Sequence, residues 1–100
     1  AYYKQMFQGV VQSADELRTS IAPHLDRSID ELSPVEHAVL LVAAHELTHE
    51  LAVPYKVVIN EAVEITKSFG GTDGFKYVNG VLDKVALSTR AAEVNASSAT

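Results

Sequence analysis

The sequence predicts an all-α protein, folded as a compact helical bundle whose second helix, at about residues 34–50, is central. Two observations predict this class. Apolar residues recur at spacings of three and four along most of the chain, which is the period of helices that bury one face. Glycine and proline interrupt this period where turns are needed, and no stretch alternates apolar with polar residues as a half-buried strand does.

The second helix has the clearest start signal. Ser33 is a preferred N-cap residue, Pro34 suits the first turn, and Glu36 stands where it completes a capping box with Ser33. The body of this helix is apolar nearly all round, which predicts that other helices surround it. We therefore expect burial of its central residues, including Val39, Leu40 and Val42.

The other three predicted helices are bounded by proline and glycine. The first runs from about Tyr2 to Ile21 and ends before a proline, because the residue ahead of proline disfavours helical geometry. The third follows Pro54 and runs to Phe69, and the fourth is capped by Thr72 or Asp73 after two turn glycines. The apolar positions that we assign to the core are Val58, Ala62, Ile65 and Phe69 in the third helix, and Phe75, Val78, Leu82 and Val85 in the fourth.

Composition narrows the function classes. The chain has 100 residues and suits one domain with a single core, which we place at 1–90, while the small and polar segment 91–100 predicts a disordered tail. The formal charge of −5 argues against strong nucleic-acid binding without help, since phosphates need a positive field. The absence of cysteine excludes thiolate sites and suits a reducing cytoplasm. No apolar run is long enough to cross a membrane.

A His-Glu-x-x-His motif, formed by His45, Glu46 and His49, raises the question of a zinc site. On a helix this spacing puts two imidazoles one turn apart, with a carboxylate placed to activate a metal-bound water. The motif resembles that of thermolysin-type zinc peptidases, which take a third ligand from an Asn-Glu-Ala stretch such as 60–62. The gap between the two pieces is shorter than in that family, and no strand is available to hold a peptide substrate. We therefore interpret the histidines as surface residues at a helix C-terminus, and expect no metal, no cofactor and no enzymatic activity.

Four blocks carry a resemblance to a known family. They are Pro54–Lys56, Ile59–Glu64, Lys67–Gly70 and Phe75–Lys84. Together they resemble the closing helical hairpin of NusB, the bacterial transcription antitermination factor, and the resemblance runs ungapped from about Tyr2 to Lys84. It implies a single NusB-like helical domain at 1–90 that matches the larger C-terminal part of NusB and lacks the arginine-rich N-terminal helices.

The resemblance also implies partners. NusB proteins are helical and are not enzymes. They bind NusE, a small-subunit ribosomal protein, and the pair recognises boxA RNA in nascent ribosomal RNA transcripts within the RNA polymerase antitermination complex. An alternative is the NusB-like RNA-binding domain of a ribosomal-RNA cytosine methyltransferase, and a distant alternative is the zinc metallopeptidase of the His45-Glu46-x-x-His49 motif.

The family's RNA-contacting region corresponds to the segment from Asp73 to Asn79. Within it, Lys76 can meet a phosphate, Tyr77 can stack on an unpaired base, and Asn79 can read a base edge. Phe75 is an alternative stacking ring, but we assign it to the core, because it lies on the apolar face of the fourth helix. The candidate RNA-binding residues are Asp73, Lys76, Tyr77 and Asn79. Glu36 lies where NusB proteins meet NusE, although its capping role accounts for it equally well.

Overall fold

Helices and the turns between them account for the described part of the chain, which confirms the all-α prediction. The computed structural model describes residues 8, 14–26, 28, 31–69 and 74–98. The elements are α1 (Ala14–Ile21), a 3-10 turn (Ala22–His24), α2 (Pro34–His49), α3 (Tyr55–Ser68), α4 (Gly74–Thr89) and α5 (Ala91–Ser98). The predicted start of the first helix at Tyr2 and the predicted caps Thr72 and Asp73 lie outside the described residues. Within those residues, no helix has the length and apolarity that a membrane span requires.

Helix α2 begins as its sequence predicts. The Ser33 hydroxyl accepts the backbone N–H of Glu36 at 3.1 Å, and the Glu36 carboxylate accepts the backbone N–H of Ser33 at 2.9 Å. This reciprocal pair is a capping box, with Pro34 in the first helical turn. Helix α2 therefore starts at Pro34, as expected.

The core lies between α2, α3 and α4, with α1 packed on α2. Helix α2 contacts α1, α3 and α4, as a central helix should, and α4 is equally central because it contacts α1, α2, α3 and α5. The Cα radius of gyration is 12.9 Å, close to the value of about 13 Å that is typical of a compact domain of this length. The largest fully buried side chains are Ile21, Leu40, Leu47, Val58, Val78, Leu82 and Val85.

The buried face of α3 differs from the predicted one. Ile65 and Phe69 are exposed, by 49% and 68% of their surfaces, whereas Ile59 and Thr66 are buried beside Val58 and Ala62. Thr66 tolerates burial because its hydroxyl donates to the carbonyl of Ala62 at 2.8 Å. The predicted set was therefore wrong in the C-terminal half of α3, where Thr66 and not Ile65 faces the core.

Three other apolar positions are less buried than predicted. Val39 and Val42 of α2 are half-buried, whereas Leu40 is fully buried. In α4, Phe75 is half-buried rather than part of the core. An apolar side chain in a helix predicts that some neighbour covers it, but the period alone does not say how completely.

Residues 91–98 form helix α5, which differs from the expectation of a disordered tail. The start of α5 is held by Arg90, which is 94% buried. Its guanidinium donates to the carbonyls of Leu47 and Val53 at 2.8 Å each and of Glu50 at 2.9 Å. The same group pairs with Glu93 at 2.7 Å. The short polar sequence gave no sign of these long-range contacts, because they depend on the chain returning to the α2–α3 turn.

Candidate functional site

Three of the four predicted RNA-binding residues lie on α4, and the fourth, Asp73, lies outside the described residues. Lys76 and Asn79 are exposed and three positions apart, so they share one face of the helix. Tyr77 is half-buried, with its ring packed against the core and its hydroxyl oxygen buried. The spacing of apolar residues predicted that Tyr77 lies outside the apolar face of the helix. It could not show how deeply α4 packs between its neighbours.

Phe75 lies at the centre of a small patch of cationic side chains. The ammonium nitrogen of Lys67 is 4.9 Å from the centroid of the Phe75 ring, and that of Lys76 is 5.9 Å away. Both distances are within the range of cation–π attraction. Lys67 belongs to α3, so two helices build the patch. We call Lys67, Phe75, Lys76 and Asn79 the basic patch.

Lys67 is a candidate site residue that the sequence reasoning missed. It stands in one of the blocks that carry the family resemblance, so a signal was present. Its proximity to α4 could not be read from spacing, because segment 70–73 separates the two helices. A second contact, to Glu64 at 3.7 Å, joins two side chains that are each about half exposed or more. Such an exposed pair is weak and leaves Lys67 able to meet another anion.

Glu36 lies between the start of α2 and the start of α4. Besides its role in the capping box, its carboxylate is close to Gly74, the first residue of α4. A Cβ atom added at Gly74 would be 3.3 Å from a carboxylate oxygen of Glu36 and 3.5 Å from the Thr66 methyl carbon. Glycine therefore permits a close approach of the two helix ends.

An apolar groove of about 370 Å³ runs between α2 and α3. Because these helices are joined by a short turn and pack together, they run antiparallel. One end of the groove consequently lies beside Pro34, next to Glu36, and the other lies towards the turn at 50–54. We call this feature the α2–α3 groove. Its lining comprises Pro34, Val35, Ala38, Val39, Val42, Ala43, Glu46, Val58, Glu61, Ala62, Ile65 and Phe69.

Two carboxylates, Glu46 and Glu61, interrupt the apolar lining near the turn. The pKa of Glu46 is raised, mainly by partial burial and then by the negative charges of Glu61 and Glu50. No described residue forms a salt bridge with Glu46 or Glu61. This end of the groove therefore holds two neighbouring carboxylates, the half-buried one of Glu46 and the exposed one of Glu61.

The two histidines of the His-Glu-x-x-His motif are stacked close together, with ring centroids 4.7 Å apart. The prediction that both are surface residues was wrong for His45, which is 92% buried. Burial lowers the pKa of His45, with His49 adding to the effect and Glu50 opposing it. Among the described residues, no three His, Asp or Glu side chains lie together as metal ligands would.

Comparison with known proteins covers nearly the whole chain. The NusB family model matches residues 1–87. The transcription antitermination protein NusB of Bordetella pertussis is 58% identical over 95 residues, which are 95% of this chain and 62% of that protein. The protein of the same name from Methylobacillus flagellatus is 56% identical over 89 residues, or 89% of this chain and 58% of that protein.

A solved structure agrees with these sequence matches. T. maritima NusB superposes with a TM-score of 0.83 at 31% identity, covering 91% of this chain and 66% of that one. The chain thus spans about 62% of the length of a curated relative that it matches. With an all-helical fold and a family match over 1–87, the chain belongs to the NusB family of transcription antitermination proteins, not to the zinc peptidases that its His-Glu-x-x-His motif resembles.

Proposed function

We propose that this protein acts in transcription antitermination by binding boxA RNA together with NusE. Membership of the NusB family carries the proposal, since the chain is 58% identical to a relative named as a transcription antitermination protein. That name favours antitermination over the RNA-binding domain of a methyltransferase. The binding partners, and a role within the RNA polymerase antitermination complex, are inferences from the family resemblance.

The basic patch is the part of the described chain that best suits RNA. Lys67 and Lys76 supply two positive charges beside one aromatic ring, and Asn79 adds an amide that can read a base edge. Phosphates and unpaired bases are recognised by this combination of cations, a stacking surface and an amide. Asp73 and Tyr77 remain candidates from the sequence, although the burial of the Tyr77 hydroxyl favours Phe75 as the stacking ring.

The α2–α3 groove is the part that best suits NusE. It begins beside Glu36, the residue that the resemblance assigns to this partner. Two of its lining residues, Ile65 and Phe69, are large, apolar and exposed. A contiguous apolar surface of this kind is typical of a protein interaction site. The close approach of Glu36 to Gly74 brings the proposed NusE surface next to the start of the RNA-binding helix.

A binding experiment tests the proposal. Full-length protein, purified NusE and a fluorescently labelled boxA RNA are mixed in pairs and all together, and RNA binding is followed by anisotropy. We expect the protein and NusE to bind each other, and the pair to prefer boxA to a scrambled RNA of the same length. Equal affinity for both RNAs, or no binding to NusE, would contradict the proposed function.

A further inference from the structure

We infer that the occupant of the α2–α3 groove is an apolar protein segment that places a lysine or arginine against Glu46 and Glu61. This inference rests on the proposed function, in which NusE occupies the groove. It adds the chemistry of the contact at the end of the groove away from Glu36, where the resemblance to NusB assigned no role and the sequence offered only the zinc-peptidase alternative.

The position of the two glutamates supports the inference. Glu46 is near the C-terminus of α2 and Glu61 is in the first half of α3, and both line the groove. Apolar side chains, among them Val42 and Val58, line the groove beside them, and Glu46 is half-buried whereas Glu61 is exposed. A segment lying along the groove would bury its apolar side chains against α2 and α3 and would meet the two carboxylates at the end near the turn.

The negative charge of Glu46 at this end of the groove is destabilising in the free protein. Burial and two neighbouring negative charges, from Glu61 and Glu50, raise the pKa of Glu46. Within the described ranges, no cation forms a salt bridge with Glu46 or Glu61. Arg90 donates to the backbone carbonyl of Glu46 and to carbonyls of the turn, but its ion pair is with Glu93 and not with the side chain of Glu46 or Glu61. Like charges held together in a cleft are more typical of a binding site than of a structural contact.

A basic side chain is the partner that this chemistry favours. It would neutralise part of the charge, and its apolar stem would pack along the groove walls. A metal ion is less suitable, because no three ligating side chains lie together among the described residues. The inference therefore commits to a cationic side chain carried on an apolar segment.

The test uses two substitutions that remove charge but keep shape, Glu46→Gln and Glu61→Gln, in the full-length protein. We expect each to weaken NusE binding about tenfold by calorimetry, since hydrogen bonds to charged groups are stronger than neutral ones. We also expect Glu46→Gln to raise the melting temperature of the free protein, because it removes an unfavourable charge. A variant that binds NusE more weakly yet melts at a higher temperature has lost a binding contact and not a structural one. Glu64→Gln is the matched control, because Glu64 is an exposed glutamate of α3 outside the groove and its loss should change neither quantity.

Each other outcome contradicts a specific part of the inference. If the parent binds NusE and both groove variants bind it equally well, the inference is wrong and the proposed function stands. If the parent does not bind NusE at all, the result contradicts the proposed function, and the inference that rests on it is contradicted too. If the variants leave NusE binding unchanged but alter self-association in sedimentation experiments, the groove is covered by a second copy of the chain, which also overturns the inference.

Discussion

Arg90 shows how one side chain can join three segments that are distant in sequence. Its planar guanidinium reaches the carbonyls of Leu47, Val53 and Glu50, and it also pairs with Glu93. Two of the acceptor carbonyls, at 47 and 50, lie at the C-terminal end of α2, where carbonyls lack partners within the helix. A third, that of Glu46, also accepts the backbone N–H of Glu50 at 2.9 Å. A cation at this position also interacts favourably with the helix dipole.

Removing this group should be strongly destabilising. We expect Arg90→Ala to lower the free energy of unfolding by about 2–4 kcal/mol, because it leaves several carbonyls without donors in a buried site. Arg90→Lys should recover little, since an ammonium group cannot reproduce the five donors of the guanidinium fork. Denaturant unfolding measures both. Arg18→Ala is the control, because Arg18 makes only a pair with the fully exposed Asp15 and one 3.2 Å bond to the His37 ring, so its loss should cost about 1 kcal/mol. Equal effects at the two arginines would show that the Arg90 contacts contribute little.

Glu46 should make stability depend on pH in the direction opposite to that of a salt-bridged acid. Its pKa in the folded protein is raised above the ordinary value of 4.5, so the folded state holds the proton more tightly than the unfolded state. Stability therefore falls as the pH rises from 4.5 through the folded pKa, and the full penalty remains at higher pH. Glu46→Gln should raise the melting temperature most at pH 7, and this advantage should shrink as the pH approaches 4.5. A difference that does not vary with pH would mean that the charge of Glu46 is not the cause.

Glu36 combines a structural role with a proposed binding role, and one substitution separates them. Glutamine keeps an oxygen that can accept the Ser33 N–H but carries no charge. We expect Glu36→Gln to melt like the parent and to bind NusE more weakly. Glu36→Ala should also lose about 0.5–2 kcal/mol of stability, as loss of a cap does. If Glu36→Gln binds NusE with full affinity, Glu36 serves only as a cap.

At the scale of elements, the sequence predicted those helices whose ends are encoded locally. The start of α2 was predictable because Ser33, Pro34 and Glu36 form their capping interactions within four residues. Helix α5 was not, because it depends on Arg90 reaching carbonyls more than 35 positions away in the chain. Local patterns carry no information on contacts of that range.

The faces of helices were predictable only where packing is tight. Val78, Leu82 and Val85 of α4 are buried as their spacing predicts. Ile65 and Phe69 of α3 follow the same spacing, yet they line an open groove. Apolar periodicity thus marks residues that pack against something, whether that is the core or a partner. The candidate site was predictable in part for the same reason: Lys76 and Asn79 are exposed as expected, whereas Lys67 joins them only through the folding of α3 against α4.

At the scale of the whole molecule, the charge distribution limits how this chain can bind RNA. The net charge of −5 opposes the approach of a polyanion, while the basic patch provides a local exception. The acidic end of the α2–α3 groove adds to the opposing field, and a basic segment bound there would reduce it. Occupation of the groove by NusE should therefore favour RNA binding at the basic patch through electrostatics alone, without any change of shape.

The salt dependence of RNA binding tests the basic patch within the whole complex. Each lysine that neutralises a phosphate releases counterions, so its loss flattens the plot of log affinity against log salt by roughly 0.7–1. With NusE present, we expect Lys67→Ala and Lys76→Ala each to weaken boxA binding and to reduce this slope by about that amount. Lys84→Ala is the control, because Lys84 is exposed on the same helix two turns beyond Lys76 and outside the patch. A slope reduced by Lys76→Ala but not by Lys67→Ala would confine the RNA surface to α4. Parent-like slopes for both would place RNA binding elsewhere on the protein, because a lysine that contacts phosphate cannot be removed without changing the number of counterions released.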